Sequence, residues 1–281
     1  MIATDLAARI ETLASTPAGQ PLATDAEECV NELLGALERG EVRAAERTSD
    51  GAWRAVPWVK QGILLGFRVD KLVEMGGGET LGFVDKHTYP PRRLHASDNV
   101  RVVPGGSSIR RGAYVAVGVV CMPPMYVNVG AYVGEGTMVD SHALIGSCAQ
   151  IGARVHVSAA AQIGGVLEPV NAAPVVIEDD VLVGGNCGVY EGTVVRERAV
   201  LAAGVVLTRG TPVFDLVAET VYKATADRPL EIPRAAVVVP GARAITTGWA
   251  HGQGLSLQAP VIVKYRDEKT DLATTLESWL R

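Results

Sequence analysis

Counting in sixes from Ile109 lands on an aliphatic residue or a cysteine ten times in succession: Ile109, Val115, Cys121, Val127, Val133, Val139, Ile145, Ile151, Val157 and Ile163. After one interruption the series resumes at Ile177 and runs through Val183, Val189, Val195, Leu201, Leu207 and Val213. Small residues recur four places after most of these anchors, at Ala113, Ala131, Thr137, Ala143, Ala149, Ala161, Thr193 and Ala199. A period of six fits neither the 3.6-residue α-helix nor the two-residue alternation of a hairpin strand. It fits a hexapeptide β-helix, in which each hexad is one short strand plus a corner and stacked coils share one core. Three hexads close a triangular coil, so the seventeen anchors predict between five and six coils. At a strand spacing of ~4.8 Å the stack is about 25–30 Å tall.

The flanking segments follow other patterns. Residues 1 to about 45 read as helices: Thr24-Asp25 is placed to cap a segment with Val30, Leu33, Leu34 and Leu37 at helical spacing, and Gly40 supplies a stop. From Ala52 to about Val103 the pattern is mixed, with Trp53, Val56 and Trp58 preceding the apolar run Ile63-Leu64-Leu65-Gly66-Phe67, and Gly76-Gly77-Gly78 marking a flexible turn. Pro90-Pro91 and Pro104-Gly105-Gly106 punctuate the approach to the repeats. The expected chain is therefore mainly β: an N-terminal helical and mixed domain over 1–105, a β-helix over 106–214, and an extension over 215–281. In the extension, Glu231-Ile232-Pro233 and Ala236-Val237-Val238-Val239 suggest one more strand leaving the β-helix. A glycine-rich hairpin is expected over 249–257, a strand over 260–265 and a helix from Lys269 to Arg281. Such a cap would protect the open edge of the last coil.

The interruption carries functional information. Between Ile163 and Ile177 the spacing widens from six to fourteen, through Glu168-Pro169-Val170-Asn171-Ala172-Ala173-Pro174. Insertions in solenoids map to loops on one side, often the binding side, so this segment is a candidate wall of a site.

Composition narrows the alternatives. Of 281 residues, 48% are hydrophobic but only 5% aromatic, as a narrow lumen of Val, Ile and Ala requires. A formal charge of −5 with interspersed signs leaves no basic face for nucleic acid. No apolar run approaches the ~20 residues that cross a membrane. The N-terminal stretch Met1-Ile2-Ala3-Thr4-Asp5 does not resemble a signal peptide, and Cys29, Cys121, Cys148 and Cys187 show no CxxC pairing, so the cytoplasm is expected. Cys121, on an anchor position, reads as a small buried thiol.

Longer strings carry a family resemblance. Tyr126-Val127-Asn128-Val129-Gly130-Ala131-Tyr132-Val133, Glu135-Gly136-Thr137-Met138-Val139-Asp140 and Gly146-Ser147-Cys148-Ala149-Gln150-Ile151-Gly152 closely resemble the tetrahydrodipicolinate N-succinyltransferases. So do Ile163-Gly164-Gly165-Val166-Leu167-Glu168-Pro169 and Arg101-Val102-Val103-Pro104. The resemblance implies a left-handed β-helix, a homotrimer with sites between subunits, and succinyl-CoA as co-substrate for a dicarboxylate acceptor, without a metal or prosthetic group.

Acyl transfer from a thioester to an amine needs a held, unprotonated amine, a donor for the developing oxyanion, and handles for both reactants. By resemblance, Arg101 binds a substrate carboxylate, a role that suits a guanidinium. Asp140 follows anchor Val139 and so points outward; the resemblance makes it the group that orients the amine and helps to accept its proton. Glu168 is a substrate contact or second carboxylate, and Gly164 and Gly165 offer backbone N–H groups to the pantetheine or the oxyanion. For CoA phosphates the candidates are Arg243 and Lys264, with Arg266 and Lys269 nearby.

The chain departs from the family in two places. Where the resembled motif has Arg-Ser-Glu after the equivalent of Gly184-Gly185, this chain has Asn186-Cys187-Gly188, so that active-site glutamate is missing and Glu191 or Glu168 is its candidate replacement. Ser141-His142 stands where many members have Thr-Trp. These differences keep open an acetyl-CoA-dependent transfer to the same or a related amino diacid. His142 and His156 raise a histidine base, and also a zinc hydratase of the γ-carbonic-anhydrase kind. That chemistry needs about three histidines, and only these two fall in the repeats. A non-catalytic β-helix scaffold is the third class.

Overall fold

The computed structural model describes residues 2–69, 71–76 and 82–267. Its centre is a left-handed parallel β-helix with three faces, each built from two-residue strands stacked in parallel every third hexad. The first face stacks Arg101–Val102, Val120–Cys121, Met138–Val139, His156–Val157, Leu182–Val183 and Val200–Leu201. The second runs from Ser108–Ile109 to Val206–Leu207, and the third from Tyr114–Val115 to Glu231–Ile232. All anchors from Ile109 to Leu207 belong to one buried cluster, which is the lumen.

The small residues four places on complete that core. Ala113, Ala131, Ala143, Ala149, Ala161 and Ala199 are buried in the lumen. Thr137 and Thr193 are equally buried and use their hydroxyls: Thr137 Oγ1 donates to Gly152 O at 2.9 Å, and Thr193 Oγ1 to Tyr190 O at 2.7 Å. A β-branched residue with a satisfied hydroxyl substitutes for alanine at no cost in unpaired polar atoms.

Most corners turn through a left-handed residue three places after the anchor. His142, Cys148, Arg154, Ala160, Asp180, Asn186 and Arg198 all adopt φ between 55° and 65° there. A side chain in this region costs of order 1 kcal/mol or more, and it persists where the surrounding ladder over-determines the backbone.

The stack extends beyond the hexad series. Val213 is buried, yet its strand Val213–Asp215 lies outside the coils, pairing in parallel with Val261–Tyr265 and antiparallel with Thr220–Tyr222. The last coil is closed later, where Glu231–Ile232 pairs in parallel with Val194–Val195 and Ala236–Val239 with Val200–Leu201. The strand expected to leave the β-helix therefore continues it, with Ile232 and Val238 filling the lumen. Residues 208–230 are a second excursion, which the sequence pattern masks because Val213 keeps the six-residue count. Val261–Tyr265 then pairs antiparallel with Ala236–Val239 and covers that end of the first face. The expected helix from Lys269 and the Gly77-Gly78 part of the glycine turn lie outside the described residues.

The N-terminal region packs on the edge between the second and third faces. Helices α1 (Ile2–Ala14), α2 (Ala26–Glu38) and α3 (Pro57–Arg68) share a core of Ile10, Val30, Leu33, Val59 and Ile63, and this core includes Val129 and Cys148 of the β-helix edge. The run read as mixed is thus helical: Pro57 starts α3, a position that needs no N–H partner. Asp25 stands at the N-cap of α2 without a side-chain capping bond.

A short hairpin, β1 (Ala45–Arg47) and β2 (Trp53–Ala55), docks on the third face through buried Glu178. Glu178 accepts from Trp53 Nε1 and Arg196 at 2.9 Å and from the Glu197 N–H at 3.1 Å. Burial alone would raise this carboxyl, but those donors hold it below its usual range. A second hairpin, β3 (Leu72–Gly76) and β4 (Gly82–Lys86), lies between α3 and the first coil in the chain. The four cysteines are free and buried, and burial pushes the Cys121 and Cys148 thiols up to about 12. Among the described residues, no helix is long and apolar enough to cross a membrane.

Candidate active site

Chemistry-bearing side chains collect on two edges, both bordering the second face. The corner between the first and second faces carries Asp140, Ser141 and His142. Asp140 is half-buried and points outward, as its place after Val139 predicts. Its Oδ1 accepts the Ser141 N–H at 2.7 Å, and its Oδ2 lies 3.8 Å from His156 Nε2. His156 faces the same way because Met138 and His156 are paired neighbours in the first-face ladder. His142 occupies the left-handed corner position and is exposed.

The second edge, between the second and third faces, is where both excursions leave. There a cleft of about 960 Å3 is lined by Gly164, Gly165, Glu168, Tyr190 and Glu191, with Trp53 of β2 opposite. Four of the sequence-derived site residues are thus brought together. Their individual roles differ. The Gly164 N–H is already committed to Val189 O at 2.8 Å in the ladder, so it is not available to a ligand, which corrects the expectation for that residue. The Gly165 N–H makes no hydrogen bond among the described residues. Glu168 is exposed in the excursion. Glu191 has Oε2 held by the Arg209 N–H at 2.7 Å, so one of its oxygens braces the next coil.

Close approach explains the glycines. A Cβ on Gly146 would sit 2.2 Å from the Gly165 nitrogen, so the excursion leaves with its backbone lying flat on Gly146. A Cβ on Gly188 would meet the Tyr190 ring at 2.5 Å, and one on Gly164 would meet it at 2.8 Å. Residues 188 and 190 point to the same side of a strand. The space that a side chain at 188 would fill is therefore taken by the phenol of Tyr190.

Other predicted residues lie elsewhere. Arg101 is exposed on the first face, two rungs from Met138, and its guanidinium has no hydrogen bond or ion pair among the described residues. Arg243 is on the C-terminal hairpin, 5.8 Å from the centre of the Phe214 ring. Lys264, on the strand capping the first face, lies 3.5 Å from Asp267. Neither lines the cleft. The cations that do are Arg54, Arg209 and Arg228, which the sequence reading missed. Their signal was present in the turn Asp227-Arg228-Pro229 and in Arg209-Gly210, where the corner spacing fails. No group of three or more His, Cys, Asp or Glu arranged to hold a metal occurs among the described residues.

Comparison with known proteins follows the same lines. Residues 5–69 match the model of the tetrahydrodipicolinate N-succinyltransferase N-terminal domain, and residues 174–209 match the hexapeptide repeat of succinyl-transferase. A Nitrobacter winogradskyi protein named 2,3,4,5-tetrahydropyridine-2,6-dicarboxylate N-succinyltransferase is 42% identical over 277 residues, covering 95% of this chain and 92% of the relative. One of the same name from Polynucleobacter asymbioticus is 41% identical over 261 residues, covering 92% and 90%. A crystal structure from Campylobacter jejuni, described as a 2,3,4,5-tetrahydropyridine-2-carboxylate N-succinyltransferase, shares the fold with a TM-score of 0.53 at 18% identity, covering 90% of this chain and 65% of that one. With its helical N-terminal region, hexapeptide stack and near-full-length likeness to these relatives, the chain belongs to the 2,3,4,5-tetrahydropyridine-2,6-dicarboxylate N-succinyltransferase family.

Proposed function

We propose that this protein transfers the succinyl group of succinyl-CoA to the amino nitrogen of tetrahydrodipicolinate, giving N-succinyl-2-amino-6-oxopimelate on the route to diaminopimelate and lysine. The observation that carries this reading is 42% identity, over 92% of its length, to a relative named for that transfer. Water opens the acceptor ring to an amino ketone. The amine then attacks the thioester carbonyl, a C–N bond forms, the C–S bond breaks, and the CoA thiolate leaves and is protonated.

Asp140 is the group we assign to orient the amine and take its proton, with His156 beside it at 3.8 Å. Arg101 is assigned to a carboxylate of the acceptor, and Glu168 to the wall of the site. The Gly165 N–H is the candidate donor to the thioester oxyanion. Glu191 we assign as a brace of the cleft floor, given its bond to the Arg209 N–H. The CoA phosphates fit Arg209 and Arg228 of the cleft rather than Arg243 and Lys264.

Asp140 and the cleft stand on two edges separated by one hexad, roughly 15–20 Å of strand and corner. That distance supports a homotrimer, in which the Asp140 edge of one chain meets the cleft of its neighbour. The cytoplasm is the proposed compartment. A thiol-release assay comparing succinyl-CoA with acetyl-CoA tests the reading: faster turnover of succinyl-CoA is expected, and activity with acetyl-CoA alone would replace it with the acetyltransferase reading.

A further inference from the structure

We propose that the Tyr190 phenol is the group in the cleft that hydrogen-bonds a carboxylate of the reactants, and that Gly188 is glycine so that this phenol can lie there. The inference rests on the acyl-transfer reading and assigns a specificity role that the motif strings do not contain.

Three observations carry it. The second-face register pairs Gln162 with Gly188 and Ile163 with Val189, so Gly164 lies opposite Tyr190 and Gly188 two residues before it. Both glycines lack a side chain against that one ring, as the contacts of 2.8 Å and 2.5 Å to their hypothetical Cβ atoms show. A tyrosine two residues past an outward glycine would normally be free to turn to solvent; here the ring folds back along its own strand, with its hydroxyl 3.0 Å from the Gly188 Cβ position. That hydroxyl has no hydrogen bond among the described residues, although the side chain is half-buried and lines the cleft beside Glu168 and Glu191.

The chemistry follows from the group. A phenol O–H donates without bringing charge, so it can pair with a carboxylate where the cleft's own Glu168 and Glu191 would repel one. Packing alone accounts for the ring over two glycines, since aromatic rings cover bare strand positions. It does not account for the hydroxyl. Both reactants offer a carboxylate, the succinyl group at its far end and the acceptor at each end, and the experiment separates them.

Tyr190→Phe keeps the ring and removes the hydroxyl. The test measures KM and kcat for both substrates in the trimeric enzyme. Alongside, calorimetry follows binding of succinyl-CoA, acetyl-CoA and pimelate to the native protein and the variant. We expect a roughly ten- to hundredfold weakening for one carboxylate ligand, the range of a lost hydrogen bond to a charged group. Weakening of succinyl-CoA but not acetyl-CoA assigns the succinyl carboxylate; weakening of pimelate assigns the acceptor. Gly188→Ala, which displaces the ring, should reproduce the same loss. Unchanged binding and kinetics in Tyr190→Phe would overturn the proposal. A native protein that binds these ligands without transferring succinyl would overturn the acyl-transfer reading instead, while the binding ratio still decides the role of Tyr190.

Discussion

Lys60 Nζ, on α3, donates a hydrogen bond to the carbonyl oxygen of Ala172, 112 residues further along the chain. Lys60 is wholly buried, and burial holds its ammonium below the usual range for a lysine. Ala172 belongs to the excursion that forms one wall of the cleft. The N-terminal helices are thereby tied to the site wall through one cation and one backbone oxygen, a charge-assisted bond in a dry setting.

Replacing Lys60 by methionine keeps an unbranched side chain one atom shorter and removes the donor. The Ala172 carbonyl then loses its partner, at a cost of about 1–3 kcal/mol, partly offset because a buried charge is also removed. We expect a modest fall in Tm and faster proteolytic nicking within 168–173, measured by thermal melting and limited proteolysis. A variant with unchanged nicking would show that the tether does not hold the excursion.

Glu178 gives the fold a defined acid sensitivity. Its carboxyl is held below its ordinary value of 4.5 in the folded chain, so the folded state binds fewer protons than the unfolded one in that range. The stabilisation is therefore complete above about pH 4.5 and is lost as pH falls through the folded value. Denaturation by urea across pH 3–7 should show stability declining below pH 5, with a shallower decline in Glu178→Gln.

Asp140→Asn preserves an acceptor for the Ser141 N–H and removes the charge beside His156. Turnover should fall at least about a hundredfold, the lower range for a lost acid–base group, with the oligomer unchanged on a sizing column. Near-native turnover would remove Asp140 from the mechanism.

Gly146→Ala tests the floor beneath the excursion. Its Cβ would collide with the Gly165 nitrogen at 2.2 Å, and both neighbours are backbone, so the excursion must shift. A stability loss of about 1–3 kcal/mol is expected, together with weaker binding of the CoA thioester. Intact binding would show that Gly165 does not contact it.

Much of this architecture was legible in the sequence because the lumen admits one residue per hexad and repeats that demand in every coil. Val139 as an anchor is enough to place Asp140 outward. The break after Ile163 located the cleft. What stayed hidden was whatever depends on contacts between distant segments. Val213 kept the count of six while its strand left the coils. Gly188 read as a lost glutamate, whereas the finding is a ring from two residues on occupying the vacated space. Arg228 is marked only by the turn Asp227-Arg228-Pro229, because its place in the cleft is set by an excursion that the periodicity conceals. Lys60 carries no signal in the sequence, since its partner is a loop over a hundred residues away.

Both excursions spring from the same edge, and the rungs above and below them pair without a gap. The walls of the cleft are therefore hung on the stack and are not part of it. Beyond Val166, whose N–H bonds Ser147 O at 3.1 Å, the first wall can open without breaking a rung of the strand ladder, so ligand exchange draws on side-chain attachments such as Lys60 to Ala172. The stack can be as rigid as its core permits while the site breathes. The two properties, usually in tension within one enzyme, are here assigned to separate parts of the chain.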